Sequence, residues 1–435
     1  MEEQTIPVTV LSGTLGAGKT TTLNHVLRES GDRDLAVLVN DMGDVNVDAD
    51  LVAESSDISA DEAELVELSN GCICCELRGD LLDAISGLTR EREFDAIVIE
   101  STGVAEPLPV AQTLTLGFDQ SDLDPTEFYE ETGIEPLENC HLDTTVTVVD
   151  AHQFTEAMRS DEILDDDGTA KHLGDLLVEQ VEFCDILLLN KCDLVDEMSL
   201  DKIEAILETL QPRAEIVRTT HGRIAVDEVI DTGRFDFEEA SRSAGWMQEL
   251  QEPHESAEEE HGVTSFVFEA RRPFHPERFT DLLNAFPEDV VRSKGHFWLA
   301  GREEMALLVN VAGQSIRVAP AGGWIATLPP EARDEQLDAS PELEAAWDDE
   351  WGDRGTRLVV IGTEMDHESV RNHFELCLLT DEEMDADWDT FDDQFPTFEE
   401  PEAVEDGESE RPKVAEDDTP ESSTDDVQKE IGIAD

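Results

Sequence analysis

The eight residues Gly13-Thr14-Leu15-Gly16-Ala17-Gly18-Lys19-Thr20 constrain the fold of this chain more than any other segment. They match the pattern Gly-x-x-x-x-Gly-Lys-Thr, and they lie between an apolar run that predicts a strand and an amphipathic run that predicts a helix. In this context the backbone N–H groups of the loop wrap a phosphate at the positive end of the helix. The segment therefore predicts a P-loop domain that binds a nucleotide.

Two side chains of the loop, Lys19 and Thr20, have predicted roles in catalysis. Lys19 can reach the β- and γ-phosphates, and the Thr20 hydroxyl can ligate Mg²⁺, so both are predicted catalytic residues. The predicted phosphate-binding residues are Gly13, Gly16, Ala17, Gly18, Lys19, Thr20 and Thr21.

Apolar strands alternate with helical patterns through the first half of the chain, which favours an α/β domain with a parallel sheet covered by helices. The predicted strands are 8–11, 35–39, 96–99, 146–149, 186–189 and 215–217. The predicted helices are 20–28, 77–92, 170–183 and 200–210. Residues 118–143 are interpreted as an acidic insertion.

Asn190-Lys191-Cys192-Asp193 follows an apolar strand and has the pattern of a base-recognition loop. The Asp193 carboxylate can accept hydrogen bonds from the N1–H and 2-amino groups of guanine, which adenine does not offer. With adenine bound, the carboxylate would be buried without a hydrogen-bond donor, so the site is expected to reject adenine. The motif therefore predicts GTP binding through Asn190, Lys191 and Asp193, and it disfavours a small-molecule kinase that uses ATP.

Glu100-Ser101-Thr102-Gly103 ends a predicted strand and is the candidate switch segment. Glu100 can hold Mg²⁺ through water and the Gly103 amide can meet the γ-phosphate, so both are predicted catalytic residues. Asp41 follows the second strand on the same predicted edge; it is either a ligand of zinc or magnesium or a simple turn carboxylate. No residue stands out as a group that positions the attacking water, so we expect intrinsic hydrolysis at roughly 10⁻³ to 10⁻⁴ per second.

Cys72, Cys74 and Cys75 fall within four residues between the P-loop and the switch segment. Thiolates select zinc, copper(I) or iron–sulfur chemistry, so the cluster predicts a metal site, with redox chemistry and packing as the alternatives. Zinc normally takes four ligands, which leaves one ligand unidentified. The candidates for it are Asp41, Asp44, Cys140, His141 and a side chain from a partner.

Acidic residues dominate the composition, and 106 of them against 29 basic residues give a formal net charge of -77. Residues 381–435 contain 23 acidic and 3 basic side chains, so a net charge of about -57 remains in the first 380 residues. Self-repulsion of this size is screened at 1 M salt, where the Debye length is roughly 3 Å, so the composition predicts an extreme halophile as the source. It disfavours nucleic acid and anionic membranes as partners, because both need a positive face.

Seven cysteines, three of them clustered, favour thiols in a reducing cytoplasm over disulfides. We find no signal peptide before the first strand and no apolar run of the roughly 18 residues needed to span a bilayer. The expected location is therefore cytoplasmic.

The chain divides into four predicted segments. These are a P-loop domain at 1–235 that carries the cysteine motif, an acidic linker at 236–262, a smaller domain at 263–380, and an acidic, largely disordered tail at 381–435. In the second domain the predicted strands are 264–269, 290–293, 297–300, 306–311, 315–318 and 358–361, and the predicted helices are 276–285 and 367–376. Strands outnumber helices there, which favours an α+β domain.

With these motifs in place, the chain closely resembles the CobW family of P-loop GTPases, and within it the zinc-responsive metallochaperone subgroup. The resemblance runs from residue 7 to about residue 380 and includes Asn70-Gly71-Cys72-Ile73-Cys74-Cys75 and, in the second domain, residues 271–279 and 292–299. It implies a GTP hydrolase with GTP, Mg²⁺ and Zn²⁺ as cofactors, which binds zinc at the cysteine motif and delivers it to a metal-requiring client protein.

The chain departs from the family pattern in two places. Many members have Asn-Glu-Phe-Gly where this chain has Asn40-Asp41-Met42-Gly43, and many carry a histidine-rich stretch where only His254 and His261 stand here. The resemblance associates the Asp variant with zinc. Two alternatives stay open: a cobalt or nickel insertase of the same family, and a non-catalytic zinc sensor or scaffold in which GTP is structural.

Overall fold

The computed structural model describes residues 5–40, 63–68, 78–91, 94–103, 107–116, 139–160, 163–166, 169–240, 244, 247, 262–340, 343–344 and 347–398. The strands are β1 Ile6–Gly13, β2 Leu35–Asn40, β3 Ala63–Leu68, β4 Ala96–Glu100, β5 Cys140–Asp150, β6 Ile163–Asp166, β7 Thr169–His172, β8 Ile186–Asn190, β9 Glu215–Arg218, β10 Val263–Ala270, β11 Val290–Phe297, β12 Met305–Ala312, β13 Ser315–Gly323 and β14 Thr356–Thr363. The helices are α1 Lys19–Glu29, α2 Arg78–Glu91, α3 Pro107–Leu116, α4 Phe154–Met158, α5 Leu173–Glu182, α6 Glu197–Leu210, α7 Phe237–Ala240, α8 Pro276–Asn284, α9 Pro330–Ala339, α10 His367–Cys377 and α11 Asp381–Met384. None of the described helices is long and apolar enough to cross a membrane.

Seven strands form one parallel sheet in the order β3-β2-β4-β1-β5-β8-β9. Strands β2, β4 and β8 are almost continuously apolar, as expected where helices cover both faces of a parallel sheet. Leu23 and Val26 of α1 pack against one face, and Leu81 of α2 and Val110 of α3 pack against the other. The carboxyl ends of the strands therefore meet at one edge, which presents the P-loop and the ends of β4 and β8.

The second domain is an antiparallel sheet in the order β10-β14-β11-β12-β13. Aromatic rings form much of its core: the centroids of Phe274 and Phe279 lie 4.2 Å apart, and those of Phe268 and Phe374 lie 5.0 Å apart. These rings join α8 and α10 to the sheet. The predicted fold class, a parallel-sheet P-loop domain followed by a smaller α+β domain, is confirmed.

A buried ion pair joins the two domains. Arg292 of β11 is 1% exposed, and its Nε and Nη2 donate to the two carboxylate oxygens of Glu182 at the end of α5, at 2.6 and 2.9 Å. The same guanidinium donates to the Val311 carbonyl at 3.1 Å and to the Asn310 side chain. The charges of Arg292 and Glu182 thus neutralise each other inside the interface, and this pair ties the sheet of the second domain to α5 of the first.

The expected helix 170–183 is wrong in its first turn. Residues Thr169–His172 form β7, which pairs antiparallel with β6, and the helix begins only at Leu173. The short segment Thr169–His172 forms a strand because β6 is available to pair with it. The periodicity of the segment itself contains no information about this partner. The predicted insertion at 118–143 also extends too far, because β5 begins at Cys140.

The second domain differs from its expected strands at 290–293 and 297–300. One strand, β11, runs through Val290–Phe297, and Trp298 to Ala300 are buried without belonging to a strand. The strand is unbroken because it pairs with β14 from Val290 to His296 and with β12 from Arg292 to Phe297. The apolar run after Phe297 instead fills the core, where the Trp298 ring lies 5.1 Å from that of Trp351.

The folded region continues beyond residue 380, where we expected the tail to begin. The side chain of Arg302 donates to Asp393 at 2.6 Å, and that of Arg278 donates to both oxygens of Glu383 at 2.8 and 2.7 Å. The Phe391 ring lies 4.5 Å from that of His275. Scattered aromatic and acidic residues anchor this stretch although its composition resembles that of a disordered tail.

Arg292→Ala is expected to lower the free energy of unfolding by about 3–5 kcal/mol, because it leaves the Glu182 carboxylate buried without its counter-charge. The control is Arg33→Ala, which breaks a pair with Asp227 whose side chains are 39% and 80% exposed and which should cost less than about 1 kcal/mol. Urea unfolding in molar KCl measures both. Equal, small effects would contradict a buried ionic joint between the domains.

Candidate nucleotide and metal site

The P-loop approaches the sheet so closely that two of its glycines cannot carry a side chain. A Cβ on Gly13 would lie 2.4 Å from the Val148 carbonyl oxygen, and a Cβ on Gly18 would lie 2.4 Å from Asn190 Nδ2. Both residues also have positive φ, 141° and 113°, which favours glycine. The loop conformation that exposes backbone N–H groups therefore depends on these two positions. Gly16, at φ 77°, has open space around it.

Lys19 lies inside the loop that it closes. Its Nζ donates to the carbonyls of Gly13 at 2.9 Å and Thr14 at 3.4 Å, and the residue is 7% exposed. The ammonium is thus held on the loop where a phosphate would be cradled. Of the other predicted loop residues, Ala17 is buried and Thr21 is exposed on the first turn of α1.

Thr20 and Glu100 are in direct contact, although 80 residues separate them in sequence. The Thr20 hydroxyl donates to Glu100 Oε1 at 2.7 Å, and Glu100 is 2% exposed. A hydroxyl and a carboxylate at this spacing are hard oxygen ligands of the kind that Mg²⁺ prefers. The two residues fit a magnesium site beside the phosphate loop. Asp41, the other predicted acid of this site, lies outside the described residues.

The switch segment lies against the P-loop. The Ser101 N–H and hydroxyl both donate to the Leu11 carbonyl, at 3.0 and 3.2 Å. A Cβ on Gly103 would lie 2.7 Å from the backbone nitrogen of Leu15. Only glycine allows this close approach, so Gly103 is placed beside the loop as expected for a residue that meets the terminal phosphate.

Asn190 connects the base-recognition loop to the P-loop. Its Nδ2 donates to the Ala17 carbonyl at 2.9 Å, and its Oδ1 accepts from the Gly222 N–H at 3.0 Å. Asp193 is exposed at the same edge and accessible to a base. The predicted phosphate and base residues are therefore assembled at one place.

Two contacts of this site were missed by sequence reasoning. Lys191 has φ 62°, and its Nζ donates to Asp150 Oδ2 at 2.7 Å; Asp150 is 4% exposed and ends β5. Gly222, after β9, supplies the N–H that Asn190 binds. A carboxylate at the carboxyl end of a predicted strand was a signal for Asp150, whereas nothing in the sequence singled out Gly222.

Cys72, Cys74 and Cys75 lie outside the described residues. The elements that flank them are described: β3 ends at Leu68, which pairs with Asn40, and β2 is in register with β4 so that Val39 pairs with Glu100. The last described strand before the cysteines, β3, therefore ends at the edge that carries Glu100. Within the described part of the chain no group of three His, Cys, Asp or Glu side chains could hold a metal ion.

Cys140 and His141 lie at the opposite end of the sheet. Ile6 pairs with Cys140, whereas Gly13, where the P-loop begins, pairs with Val148. Seven residue steps of β1 separate the two ends, or about 23 Å at 3.3 Å per residue. Burial raises the pKa of the Cys140 thiol to about 11, and His141 Nδ1 is hydrogen-bonded to the Thr5 hydroxyl at 2.8 Å. Neither residue is placed to complete a site at the nucleotide edge.

Two family models match the chain. The CobW/HypB/UreG nucleotide-binding domain covers residues 7–218, and the cobalamin synthesis protein cobW C-terminal domain covers residues 263–378. The chain belongs to the CobW/HypB/UreG family. The family resemblance inferred from the motifs is thereby confirmed, and with it the assignment to a family of GTPases.

Among the curated relatives of this CobW-family chain is a protein of Dictyostelium discoideum named zinc-regulated GTPase metalloprotein activator 1. It is 40% identical over 397 residues, which cover 87% of this chain and 81% of that protein. The zinc chaperone YjiA of Escherichia coli is 28% identical over 85% of this chain and 98% of its own length. The crystal structure of Zn(II)-bound YjiA GTPase aligns over 86% of this chain and 99% of that chain, at 24% identity and a TM-score of 0.38.

Gly18→Ala should weaken guanine nucleotide binding by at least about tenfold, because the new methyl group collides with Asn190 and opposes the positive φ. The matched control is Gly31→Ala just beyond α1, where φ is 68° but no atom lies within 4 Å of the added Cβ. Affinities for fluorescent GDP measure both. If the two variants bind GDP alike, the contact between Gly18 and Asn190 does not organise the site.

Proposed function

We propose that this protein hydrolyses GTP, binds zinc at Cys72, Cys74 and Cys75, and delivers the zinc to a client protein with an affinity that depends on the bound nucleotide. The observation that supports this most is the arrangement of one sheet edge. There Thr20 contacts Glu100 and Asn190 contacts the P-loop. The strand that precedes the cysteines, β3, ends at the same edge. The names of the zinc-linked relatives agree with the proposal.

In the proposed reaction, water attacks the γ-phosphorus of GTP, the bond to the β,γ-bridging oxygen breaks, and GDP leaves with that electron pair. Lys19 and the loop N–H groups bind the phosphates and offset the charge on them. Asp193 accepts from the guanine edge, and Asn190 holds the loops in register. Magnesium, when bound to Thr20 and Glu100, would neutralise charge on the β- and γ-oxygens.

The proposed coupling follows from the positions of the described strands. The strand that precedes Asp41, β2, and the strand that precedes the cysteines, β3, both end at the edge that carries Glu100. A nucleotide that orders the Asp41 and Glu100 segments thereby changes the geometry available to the thiolates. Allosteric coupling of this kind is typically about 5- to 150-fold in affinity, which is enough to bias zinc transfer.

A competitive zinc titration in molar KCl tests this proposal. We expect the zinc affinity to differ by at least about fivefold among the GTPγS-magnesium, GDP-magnesium and nucleotide-free forms, and the difference to vanish in the Cys72/Cys74/Cys75→Ser variant. Cys140→Ala and His141→Ala serve as controls and should retain both the affinity and its dependence on nucleotide. Cobalt and nickel titrations alongside identify the preferred ion.

Equal zinc affinities in all three nucleotide states would overturn the coupling and favour the sensor or scaffold alternative. Loss of zinc binding in Cys140→Ala, with the fold retained, would instead show that the metal site lies at the other end of the sheet. Tighter cobalt or nickel binding with the same nucleotide dependence would favour the insertase alternative.

We also propose that the protein works in the salt-rich cytoplasm of a halophile, with a metal-requiring protein as its client. The charge of -77 supports this proposal. The arrangement of cations supports it too: Arg218 alone pairs with the carboxylates of Glu197, Asp201 and Glu204. Several carboxylates thus share one cationic side chain, as expected where acidic residues far outnumber basic ones.

The thermal unfolding midpoint should rise steeply as KCl increases towards 1 M, where the Debye length shortens to about 3 Å and repulsion between surface carboxylates is screened. NaCl should give the same rise at equal concentration, because screening depends on ionic strength. Differential scanning calorimetry measures the midpoint. A midpoint that does not change between about 0.1 and 1 M salt would contradict adaptation to high salt.

A further inference from the structure

Thr102 has a buried hydroxyl whose hydrogen-bonding capacity is unused. The residue is 8% exposed, and among the described residues its Oγ1 meets no hydrogen-bond partner. Other buried threonines of the parallel sheet do find partners: the Thr9 hydroxyl donates to the Val229 carbonyl at 2.8 Å, and the Thr147 hydroxyl donates to the Gln180 carbonyl at 2.8 Å. A buried hydroxyl without a partner costs the folded state stability, so its presence needs an explanation.

The surroundings of Thr102 belong to the phosphate site. Glu100, two residues earlier, accepts the Thr20 hydroxyl, and Gly103, the next residue, lies against Leu15 of the P-loop. Ser101 between them is tied to the Leu11 carbonyl through both its N–H and its hydroxyl. The backbone of Thr102 is thus held on both sides, next to the loop that receives the phosphates.

The position of Thr102 follows from its neighbours in the chain. β4 ends at Glu100, and Thr102 lies between Ser101, which is bound to the Leu11 carbonyl, and Gly103, which lies against Leu15 of the P-loop. The unused hydroxyl therefore belongs to the short segment that joins the magnesium-site carboxylate to the P-loop contact.

We propose that the Thr102 hydroxyl donates a hydrogen bond to the terminal phosphoryl group of GTP and stabilises the charge on its oxygens during hydrolysis. This inference rests on the proposed GTP hydrolysis and adds a residue to it. In GDP the terminal phosphoryl group is absent, so the contact exists only in the GTP state. Thr102 thus distinguishes the two nucleotides and supplies a contact for the reacting group.

The test compares Thr102→Val, which keeps the shape and removes the hydroxyl, with Thr102→Ser, which keeps the hydroxyl. We measure single-turnover GTP hydrolysis, the ratio of GTPγS to GDP affinity, and the unfolding midpoint without nucleotide, all in molar KCl. Thr102→Val should lower the hydrolysis rate and the affinity ratio by about tenfold, as expected for loss of a hydrogen bond to a charged group. Its unfolding midpoint should be equal to or above that of the parent protein, because the substitution removes no hydrogen bond from the nucleotide-free folded state.

Thr9→Val is the matched control, because its buried hydroxyl has a partner far from the phosphates. It should lower the unfolding midpoint and leave the hydrolysis rate of the folded protein unchanged. Thr102→Ser should retain hydrolysis within about threefold, since the hydroxyl that forms the bond remains.

A Thr102→Val variant that hydrolyses GTP at the parent rate with an unchanged affinity ratio would overturn the role of Thr102. So would a fall in the unfolding midpoint matching that of Thr9→Val, together with equal weakening of GDP and GTPγS. If the parent protein itself does not hydrolyse GTP with zinc present, the proposed hydrolase function fails, and the affinity ratio alone then decides whether Thr102 contacts the terminal phosphoryl group.

Discussion

The two hydrogen bonds of the Asn190 side chain hold the nucleotide edge together. One reaches the Ala17 carbonyl of the P-loop and the other receives the Gly222 N–H beyond β9. Three loops that follow three different strands are thereby fixed relative to each other by one buried amide. Because the amide carries both a donor and an acceptor, no apolar side chain of similar size replaces it. The Asn190 side chain also explains the glycine at position 18, because it fills the space that a Cβ on that residue would need.

Basic side chains are scarce in this protein, and several of them make specific structural contacts. The chain has 29 basic residues against 106 acidic ones. Among the basic residues, Lys19 closes the P-loop, Lys191 meets Asp150, and Arg292 joins the domains through Glu182. These contacts are buried or half-buried, so salt screens them much less than it screens the exposed carboxylates. A high salt concentration can then relieve surface repulsion without weakening the contacts that organise the site.

Short motifs in the sequence predicted the nucleotide site well, and long-range packing explains what they missed. The P-loop, Glu100 and Asn190 were recognisable because each belongs to a short motif with fixed spacing that directly follows a predicted strand. The pairing of β6 with β7 and the unbroken β11 depend on partners elsewhere in the chain, which local periodicity does not contain. Thr102 was overlooked as a functional residue because only its burial without a partner distinguishes it from an ordinary threonine.

Zinc and nucleotide are proposed to bind to one coupled system, and thermodynamic reciprocity tests this coupling most directly. If GTPγS changes the zinc affinity by some factor, zinc must change the GTPγS affinity by the same factor. The decisive measurement is calorimetric titration of GTPγS-magnesium into zinc-free and zinc-saturated protein in molar KCl. We predict affinities that differ by at least about fivefold, in the parent protein but not after replacement of Cys72, Cys74 and Cys75 by serine. Identical GTPγS affinities with and without zinc would contradict the coupling.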